Sequence, residues 1–326
     1  MPKLVAAAAV LIVALGTAVS GASAAEVELR AASAFASGTT FSKNFEAFVK
    51  RVNELGKGNI RINYVGGGAK VIDPFELGNA VRTGVVDIGN LPGSFYTNIV
   101  PEADALKMIP VPIHQMKGKP IYDLLQEIHG KKANAHLLAR QKTQVPFHLF
   151  VNKRIEGIDL SGLRLRTTPI FAPFFTAMGA TAIRIAPGEI FAALERGVVD
   201  GYGWPLQGIF DLGWQEATKF RVDPGFYNSA DELIVNLSKW DTLTAAQKSV
   251  LEEAGVWMEK TFDAEDKDLN QQEDDRQRKQ GIQIITFDGE LRAKFLKLAD
   301  ETAWQAILKA SPDYGSRIKT ARESMR

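Results

Sequence analysis

A sixteen-residue segment occurs twice in this chain, and it constrains the fold more than any other feature. Residues 74–89 read PFELGNAVRTGVVDIG and residues 187–202 read PGEIFAALERGVVDGY, with seven identical positions. Upstream of each copy, the hydrophobic pattern predicts a strand, a helix and a second strand. Each half therefore favours a parallel sheet with right-handed crossovers. We predict two similar α/β lobes; the alternative is chance similarity between two ordinary helix-to-strand units.

The length of the chain agrees with two lobes, because 326 residues exceed the ~100–200 residues of a typical domain. The order of the predicted elements divides the chain between them. We predict lobe 1 from residues 25–145 and about 231–262, and lobe 2 from residues 146–230 and about 281–310.

The carboxyl-terminal third contains a long helical pattern. Thr244 and Gln247 form a capping box, and the apolar spacing after them predicts a helix over residues 243–280. At 1.5 Å per residue this helix is about 50 Å long, so we expect it to cross both lobes. Its charged stretch, residues 263–279, predicts a solvated face, with partner docking as the alternative. The tail at residues 311–326 has little apolar periodicity, and we expect it to pack loosely or fray.

The amino terminus has the build of a cleavable secretory signal. Residues 1–24 combine a cation at Lys3, an apolar run and the small triplet Ala22, Ser23 and Ala24. A single-pass membrane anchor is the alternative. The chain has no cysteine, which rules out disulfides, thiolate metal sites and a lipobox. We therefore expect an exported protein in a Gram-negative periplasm.

Composition and motifs exclude several classes of function. The formal net charge is +1 and the basic residues are scattered, which disfavours nucleic-acid binding. None of the four histidines has a second ligand at helical spacing, and the chain lacks the usual nucleophile, phosphate and dinucleotide motifs. We therefore predict no metal, no cofactor and no catalytic residues. The histidines are His114, His129, His136 and His148.

Helix starts beside strand ends offer unpaired N–H groups to an anion. One repeated helix is predicted to begin with Asp73 as its N-cap, Pro74 at its first position and Glu76 at its third. The helix of the second copy is predicted to have Pro187 at its first position and Glu189 at its third. We interpret both glutamates as helix caps rather than catalytic groups.

An arginine is the best candidate for holding a ligand. Arg166 lies at the carboxyl end of a predicted strand, and its planar fork matches a carboxylate bidentately. Surface pairing is the alternative for any single arginine. Aromatic residues also fall near predicted strand ends, either in the core or lining an apolar cleft. They are Phe35, Phe147, Phe171, Tyr202 and Trp204.

At these residues the chain resembles the DctP-type solute-binding proteins of tripartite ATP-independent periplasmic (TRAP) transporters. The resemblance rests on LSGLRLRTTP, AMGATAIRIAPGEIFAALERGVVDG, ELGNAVRTGVVDIG and LIVNLSKWDTLTAAQKSVLEEA, in this order. It implies a two-lobe periplasmic binding protein fold, with a long helix spanning both lobes, that closes on its ligand. It also implies a monomer that delivers a small organic anion to the small and large membrane subunits of a permease.

The resemblance implies roles for particular residues. Arg166 occupies the place of the family's arginine that pairs with a substrate carboxylate. Asp73, Asn90, Phe147 and Trp204 match positions that often face the cleft in that family.

The chain departs from the family pattern in two places. Trp204 replaces an asparagine, and Gly203 replaces an acidic metal ligand found in relatives that bind oxo acids, so a bound cation is not expected. Phe147 stands where relatives that bind sialic acid carry a second arginine. We therefore expect a mono- or dicarboxylate with an apolar or aromatic body.

Two other functions are compatible with the same lobes. An enzyme would need two titratable groups converging in the cleft, and the sequence offers no obvious pair. A sensory protein that presents its ligand to a membrane receptor kinase would need the same closed form as a transport protein, so sequence does not separate the two.

Overall fold

The computed structural model describes residues 26–323 and residue 325, so the predicted signal peptide at residues 1–24 lies outside the described residues. The described strands form two sheets, one of five strands and one of six. The strands are β1 Val27–Ser33, β2 Ile60–Gly67, β3 Ile88–Pro92, β4 Ala135–Gln141, β5 Pro146–Val151, β6 Arg164–Thr167, β7 Thr181–Arg184, β8 Gly201–Pro205, β9 Phe220–Asn228, β10 Asp231–Asn236 and β11 Gln283–Thr286.

Helices cover the two sheets, together with four short 3₁₀ segments at Gly93–Phe95, Pro101–Met108, Pro187–Glu189 and Trp214–Glu216. The α-helices are α1 Thr40–Leu55, α2 Leu77–Thr83, α3 Ile113–Met116, α4 Pro120–Ala133, α5 Ala172–Ala177, α6 Ile190–Glu195, α7 Leu237–Thr242, α8 Ala245–Lys279, α9 Gly289–Ala310 and α10 Pro312–Glu323.

The sequence repeat corresponds to a structural repeat. The first sheet has the order β2-β1-β3-β10-β4 and the second β11-β9-β5-β8-β6-β7. In the first, β1 pairs in parallel with β2 and β3; in the second, β6 pairs in parallel with β7 and β8. The prediction of two similar α/β lobes is confirmed, and antiparallel strands extend both parallel units.

Three segments connect the two sheets. Strand β4 leads directly into β5, and β9 leads directly into β10, so each pair passes from one sheet to the other. Helix α8 is the third segment: it packs on β4 and α1, and farther along Gln277 donates a hydrogen bond of 2.7 Å to the Leu206 carbonyl oxygen. The prediction of a long helix spanning both lobes is confirmed. The residue boundaries of the lobes stay a prediction.

The predicted cap of α8 is confirmed. The Gln247 N–H donates to the Thr244 hydroxyl over 3.3 Å, and the Thr244 N–H donates to the Gln247 side chain over 2.9 Å. Both bonds satisfy N–H groups that the first turn of a helix leaves unpaired. This local signal was sufficient because all its atoms lie within four consecutive residues.

The predicted caps in the two repeat copies are wrong. Asp73 accepts a hydrogen bond from the Phe75 N–H over 2.8 Å, which makes a turn, and α2 begins only at Leu77. In the second copy, Pro187–Glu189 form a 3₁₀ turn before α6. The N-caps of α2 and α6 lack side-chain cap bonds. In both copies a turn between the proline and the α-helix displaces the helix start.

One prediction for the carboxyl-terminal third holds in part and another is wrong. Most of residues 263–279 are exposed, as predicted, but Asp266 is completely buried and accepts a hydrogen bond of 2.7 Å from the Lys142 ammonium. The described part of the tail does not fray, since Pro312–Glu323 form α10, which packs on α4 and α9 and buries Ile318. Arg317 also donates to Glu127 of α4 over 3.0 Å.

Candidate functional site

A closed cavity lies between the lobes, and six aromatic side chains form most of its wall. The cavity volume is about 20 Å³, room for about one water molecule, so the lining side chains must move apart to admit a larger ligand. Three of the rings come from segments after β1 and β3 and from α1, and the other three from β5, the start of α5 and β8. They are Phe35, Phe41, Phe95, Phe147, Phe171 and Trp204.

Arg166 reaches this cavity from β6. Its side chain is fully buried, and its Nε donates to the Ile185 carbonyl oxygen over 2.9 Å. One terminal nitrogen, Nη1, makes a long bond of 3.4 Å to the Gly203 carbonyl oxygen, whereas Nη2 has no partner in the described chain. The guanidinium carbon lies 5.4 Å from the centre of the Trp204 ring. The bond from Nε thus holds the guanidinium in place, and its terminal nitrogens remain available to a ligand.

The electrostatics of Arg166 are unusual for a buried charge. Burial lowers the pKa of its guanidinium to about 9, so the group is still protonated at neutral pH. No carboxylate forms an ion pair with it in the part of the chain that the structure describes. An unpaired charge in the interior costs several kcal/mol, and an anion would remove most of that penalty. The arrangement can therefore bind an anion through two parallel N–H···O bonds.

Four other buried polar atoms of the cavity lining also lack a hydrogen-bond partner among the described residues. They are Lys107 Nζ, Thr168 Oγ1, Trp204 Nε1 and Asp231 Oδ2. Buried polar groups are usually paired, because an unmade hydrogen bond costs about 1–3 kcal/mol. Their convergence on one cavity is what a site for a polar ligand requires.

Lys107 and Asp231 come from the first lobe, opposite Arg166. Lys107 is only 1 % exposed, and its Nζ lies 3.5 Å from a carboxylate oxygen of Asp104. Burial raises the pKa of the Asp231 carboxyl to about 7, and the positive charge of Lys107 opposes that shift. At neutral pH, therefore, the Asp231 carboxyl can be either neutral or charged.

The structure brings five of the eight candidate residues to this cavity: Arg166, Trp204, Phe147, Phe35 and Phe171. Their contact with a ligand stays a prediction. Sequence reasoning missed the other lining residues, in particular Phe41, Phe95, Lys107, Thr168 and Asp231. Among these residues, only Thr168 could have been predicted from the sequence, because it lies in the turn directly after the strand that carries Arg166.

Asn90 lies behind the cavity wall rather than in it. Its side-chain nitrogen donates to the Ser33 hydroxyl and to the Phe41 carbonyl oxygen, both over 2.9 Å. Its side-chain oxygen accepts from Gln141 over 2.8 Å. With these bonds made inside the protein, Asn90 holds the start of α1 against β3.

Tyr202 and Asp73 also lie outside the cavity lining. The Tyr202 hydroxyl is hydrogen bonded to the Thr218 hydroxyl over 2.7 Å, and its ring stacks on Phe150 at 5.2 Å, inside the core of the second lobe. Asp73 is exposed and makes the turn bond to Phe75 described above.

A wider groove adjoins the cavity and opens to the surface. Phe35, Phe41 and Trp204 belong to both spaces, so their rings separate the cavity from the groove. Both lobes line the groove, with residues 67–70 from the first and residues 186–189 from the second. Both lobes thus line the groove as well as the cavity.

Two contacts join the lobes beside this groove. The Asp211 carboxylate of the second lobe accepts a hydrogen bond of 2.7 Å from the Thr40 N–H at the start of α1. The Arg184 guanidinium carbon lies 3.8 Å from the centre of the Phe75 ring. The lobes thus meet around the cavity, as a form closed over a ligand requires.

The fold and the cavity together define a two-lobe binding protein for a small solute. A family model described as bacterial extracellular solute-binding protein, family 7 (DctP) matches residues 31–309. The chain belongs to this family, a family of substrate-binding receptors, and the resemblance seen in the sequence is confirmed. Within the described residues, no helix combines the length and apolar character needed to cross a membrane.

Individual relatives agree with this assignment. A monocarboxylate 2-oxoacid-binding periplasmic protein of Nostoc sp. is 25% identical over 223 residues, which cover 65% of this chain and 60% of that protein. A TRAP periplasmic solute-binding protein from Desulfovibrio salexigens with bound orotic acid has a TM-score of 0.82 at 19% identity, covering 91% of this chain and 97% of that one. A Bordetella pertussis extracytoplasmic solute receptor binding pyroglutamic acid has a TM-score of 0.79 at 21% identity, covering 91% and 100%.

Proposed function

We propose that this protein captures a small organic acid in the periplasm and delivers it to a TRAP-type permease made of a small and a large membrane subunit. Arg166 carries the proposal, as a buried arginine without an acidic partner that faces a closed cavity. The ligand carboxylate supplies the missing partner. The aromatic wall selects an acid with an apolar or aromatic body.

Other observations support this ligand class. Orotic and pyroglutamic acids, the ligands of two structural relatives, are both cyclic organic acids. Among the described residues, no group of three or more histidine, cysteine or acidic side chains could hold a metal ion. In this proposal the carboxylate is therefore held by Arg166 directly and not through a cation.

The test is thermal unfolding of the mature protein, after removal of bound ligand by unfolding and refolding, against aliphatic, oxo, hydroxy and aromatic acids. A ligand at one hundred times its Kd adds about 2.7 kcal/mol, a shift of several degrees. We expect Arg166→Ala to abolish the shift.

Arg164→Ala is the matched control, because Arg164 lies on the same strand but is half-exposed and paired with Asp200 over 3.1 Å. It should keep the shift. Absence of a shift for every acid, or an equal shift in Arg166→Ala, would refute the proposal.

A further inference from the structure

Two oppositely charged side chains of the first lobe face the cavity away from Arg166. Lys107 belongs to the 3₁₀ segment Pro101–Met108, and Asp231 is the first residue of β10. They are 1 % and 2 % exposed. Lys107 Nζ and Asp231 Oδ2 line the same cavity and have no hydrogen-bond partner in the described chain. A donor and an acceptor are therefore both available at this end of the cavity.

The charges at this end belong to Lys107, Asp104 and Asp231, and the charges of Arg140, Lys142 and Asp266 also act on Asp231. Asp104 lies 3.5 Å from the Lys107 ammonium, outside the set of cavity-lining residues, and offsets part of its charge. The Asp231 carboxyl adds further negative charge when it is ionised. Positive and negative charges therefore largely offset each other at this end, unlike the Arg166 end, where the guanidinium has no counter-charge among the described residues.

Aromatic rings of the same lining lie beside both charged ends of the cavity. Lys107 Nζ lies 6.0 Å from the centre of the Phe147 ring, and that ring lies 5.7 Å from the centre of Phe171. At the other end, the Arg166 guanidinium faces the Trp204 ring. A ligand that spans the cavity must therefore have an anionic end, an apolar middle and a polar end.

We propose that Lys107 and Asp231 recognise a hydroxyl group at the far end of the acid that Arg166 holds, so that the preferred ligands are hydroxy-substituted aromatic monocarboxylates. This inference rests on the proposed function. The lysine ammonium donates to the hydroxyl oxygen, and the hydroxyl donates to Asp231 Oδ2. One hydroxyl thus pairs both groups.

A second carboxylate suits this end less well. When Asp231 is ionised, above about pH 7, a second carboxylate could accept from Lys107 but has no proton to donate to Asp231, and its charge would repel the Asp231 carboxylate. An unsubstituted ring leaves both groups unpaired, at the cost of a buried unmade hydrogen bond for each. The pair therefore discriminates against dicarboxylates and against unsubstituted acids.

Isothermal titration of the refolded mature protein at about pH 8, where the Asp231 carboxyl is mostly ionised, tests this ranking with matched ligands. The panel is benzoate with its 3- and 4-hydroxy and 3- and 4-carboxy derivatives, and 3-phenylpropanoate with the same ring substituents. A hydrogen bond to a charged group contributes about 1.5–3 kcal/mol. We therefore expect at least one hydroxy acid to bind about tenfold or more tightly than its parent, and every dicarboxylate to bind more weakly than the matched hydroxy acid.

Two variants test whether Lys107 and Asp231 cause the expected ranking of ligand affinities. Lys107→Met and Asp231→Val remove the donor and the acceptor while keeping similar side-chain volume. Each should reduce the hydroxyl advantage, taken as the ratio of the affinities for the hydroxy acid and its parent in the same variant, to less than about threefold. Lys57→Met and Asp241→Asn, at exposed positions, are the matched controls and should keep the advantage.

The outcomes separate this inference from the proposed function. Equal binding of parent and hydroxy acids by the wild-type protein, or tightest binding of a dicarboxylate, overturns the inference and leaves the Arg166 proposal standing. An unchanged hydroxyl advantage in both variants overturns it as well. If a variant does not fold, the wild-type ranking still decides. Failure of every acid to bind refutes the proposed function, and this inference with it.

Discussion

At the scale of single residues, two arginines on one strand show how surroundings decide a role. Arg164 and Arg166 are two positions apart on β6. Arg164 is half-exposed and pairs with Asp200, whereas Arg166 is buried without an acidic partner among the described residues. An ion pair at the surface contributes little, while a buried unpaired charge is costly. Of these two arginines, only Arg166 is therefore a candidate for binding an anion.

The buried carboxyl of Asp231 should make the stability of the protein depend on pH. Burial raises the pKa of its carboxyl to about 7; the charges of Lys107, Lys142 and Arg140 oppose the shift, and that of Asp266 adds to it. In the unfolded chain the carboxyl titrates near pH ~4. Between about pH 4 and pH 7 the native state therefore holds a proton that the unfolded state has lost. The contribution of Asp231 to the unfolding free energy should fall as pH rises through this range.

Urea unfolding of the ligand-free wild type and Asp231→Asn between pH 4 and pH 7.5 measures this contribution. The stability of the wild type relative to the variant should decrease by a few kcal/mol from the acidic to the neutral end of the range. A difference between the two proteins that does not change with pH would contradict the raised pKa.

At the scale of the element, α8 connects the lobes through buried polar contacts. The Lys142 ammonium donates to Asp266 over 2.7 Å and to Gln207 over 2.9 Å, and all three side chains are buried. On the first-lobe side, Glu259 of α8 accepts hydrogen bonds from the Ile113 N–H and the Arg140 N–H. The helix thus contributes acceptors to both halves of the molecule.

Removing the buried acid of α8 should be costly. In Asp266→Ala the Lys142 ammonium stays buried without a carboxylate, and loss of one partner of a buried ion pair typically costs about 3–5 kcal/mol. Asp268→Ala, at an exposed position on the same helix, should change stability by less than about 0.5 kcal/mol. Urea denaturation checks both. Equal effects of the two substitutions would mean that the buried pair does not stabilise the fold.

At the scale of the whole molecule, the lobes meet through contacts that do not touch the cavity. The Asp211 carboxylate accepts from the first N–H of α1, where a negative charge also favours the positive end of the helix dipole. The Arg184–Phe75 contact lies between β7 and the segment before α2. Both contacts exist only when the lobes are together, so they favour a closed form.

Loss of these two contacts should weaken closure and speed ligand release. If each contributes about 0.5–1 kcal/mol, the double variant Asp211→Ala and Arg184→Ala should dissociate its ligand several-fold faster. Stopped-flow displacement of a bound acid measures the rate. Arg196→Ala, at an exposed position, should release ligand at the wild-type rate. Unchanged release in the double variant would show that these contacts do not hold the cleft closed.

The amino-acid sequence alone predicts those parts of the fold and site whose signals are local or repeated. The repeat indicated two parallel units because similar hydrophobic patterns fold into similar βαβ arrangements. The capping box of Thr244 and Gln247 indicated the start of α8, and the strand end before the Thr-Thr-Pro turn indicated Arg166. In each case the determining residues are neighbours in the chain.

The tertiary structure alone decided how the two halves meet. Lys107 and Asp231 are 124 positions apart, and no pattern in the chain marks them as neighbours in one cavity. Asp266 has the sequence surroundings of a solvated helix face, yet Lys142 reaches it from the connection between β4 and β5. Such contacts depend on the packing of one lobe against the other. The burial of these side chains and their charged neighbours arise only in the folded molecule, so the local sequence does not predict them.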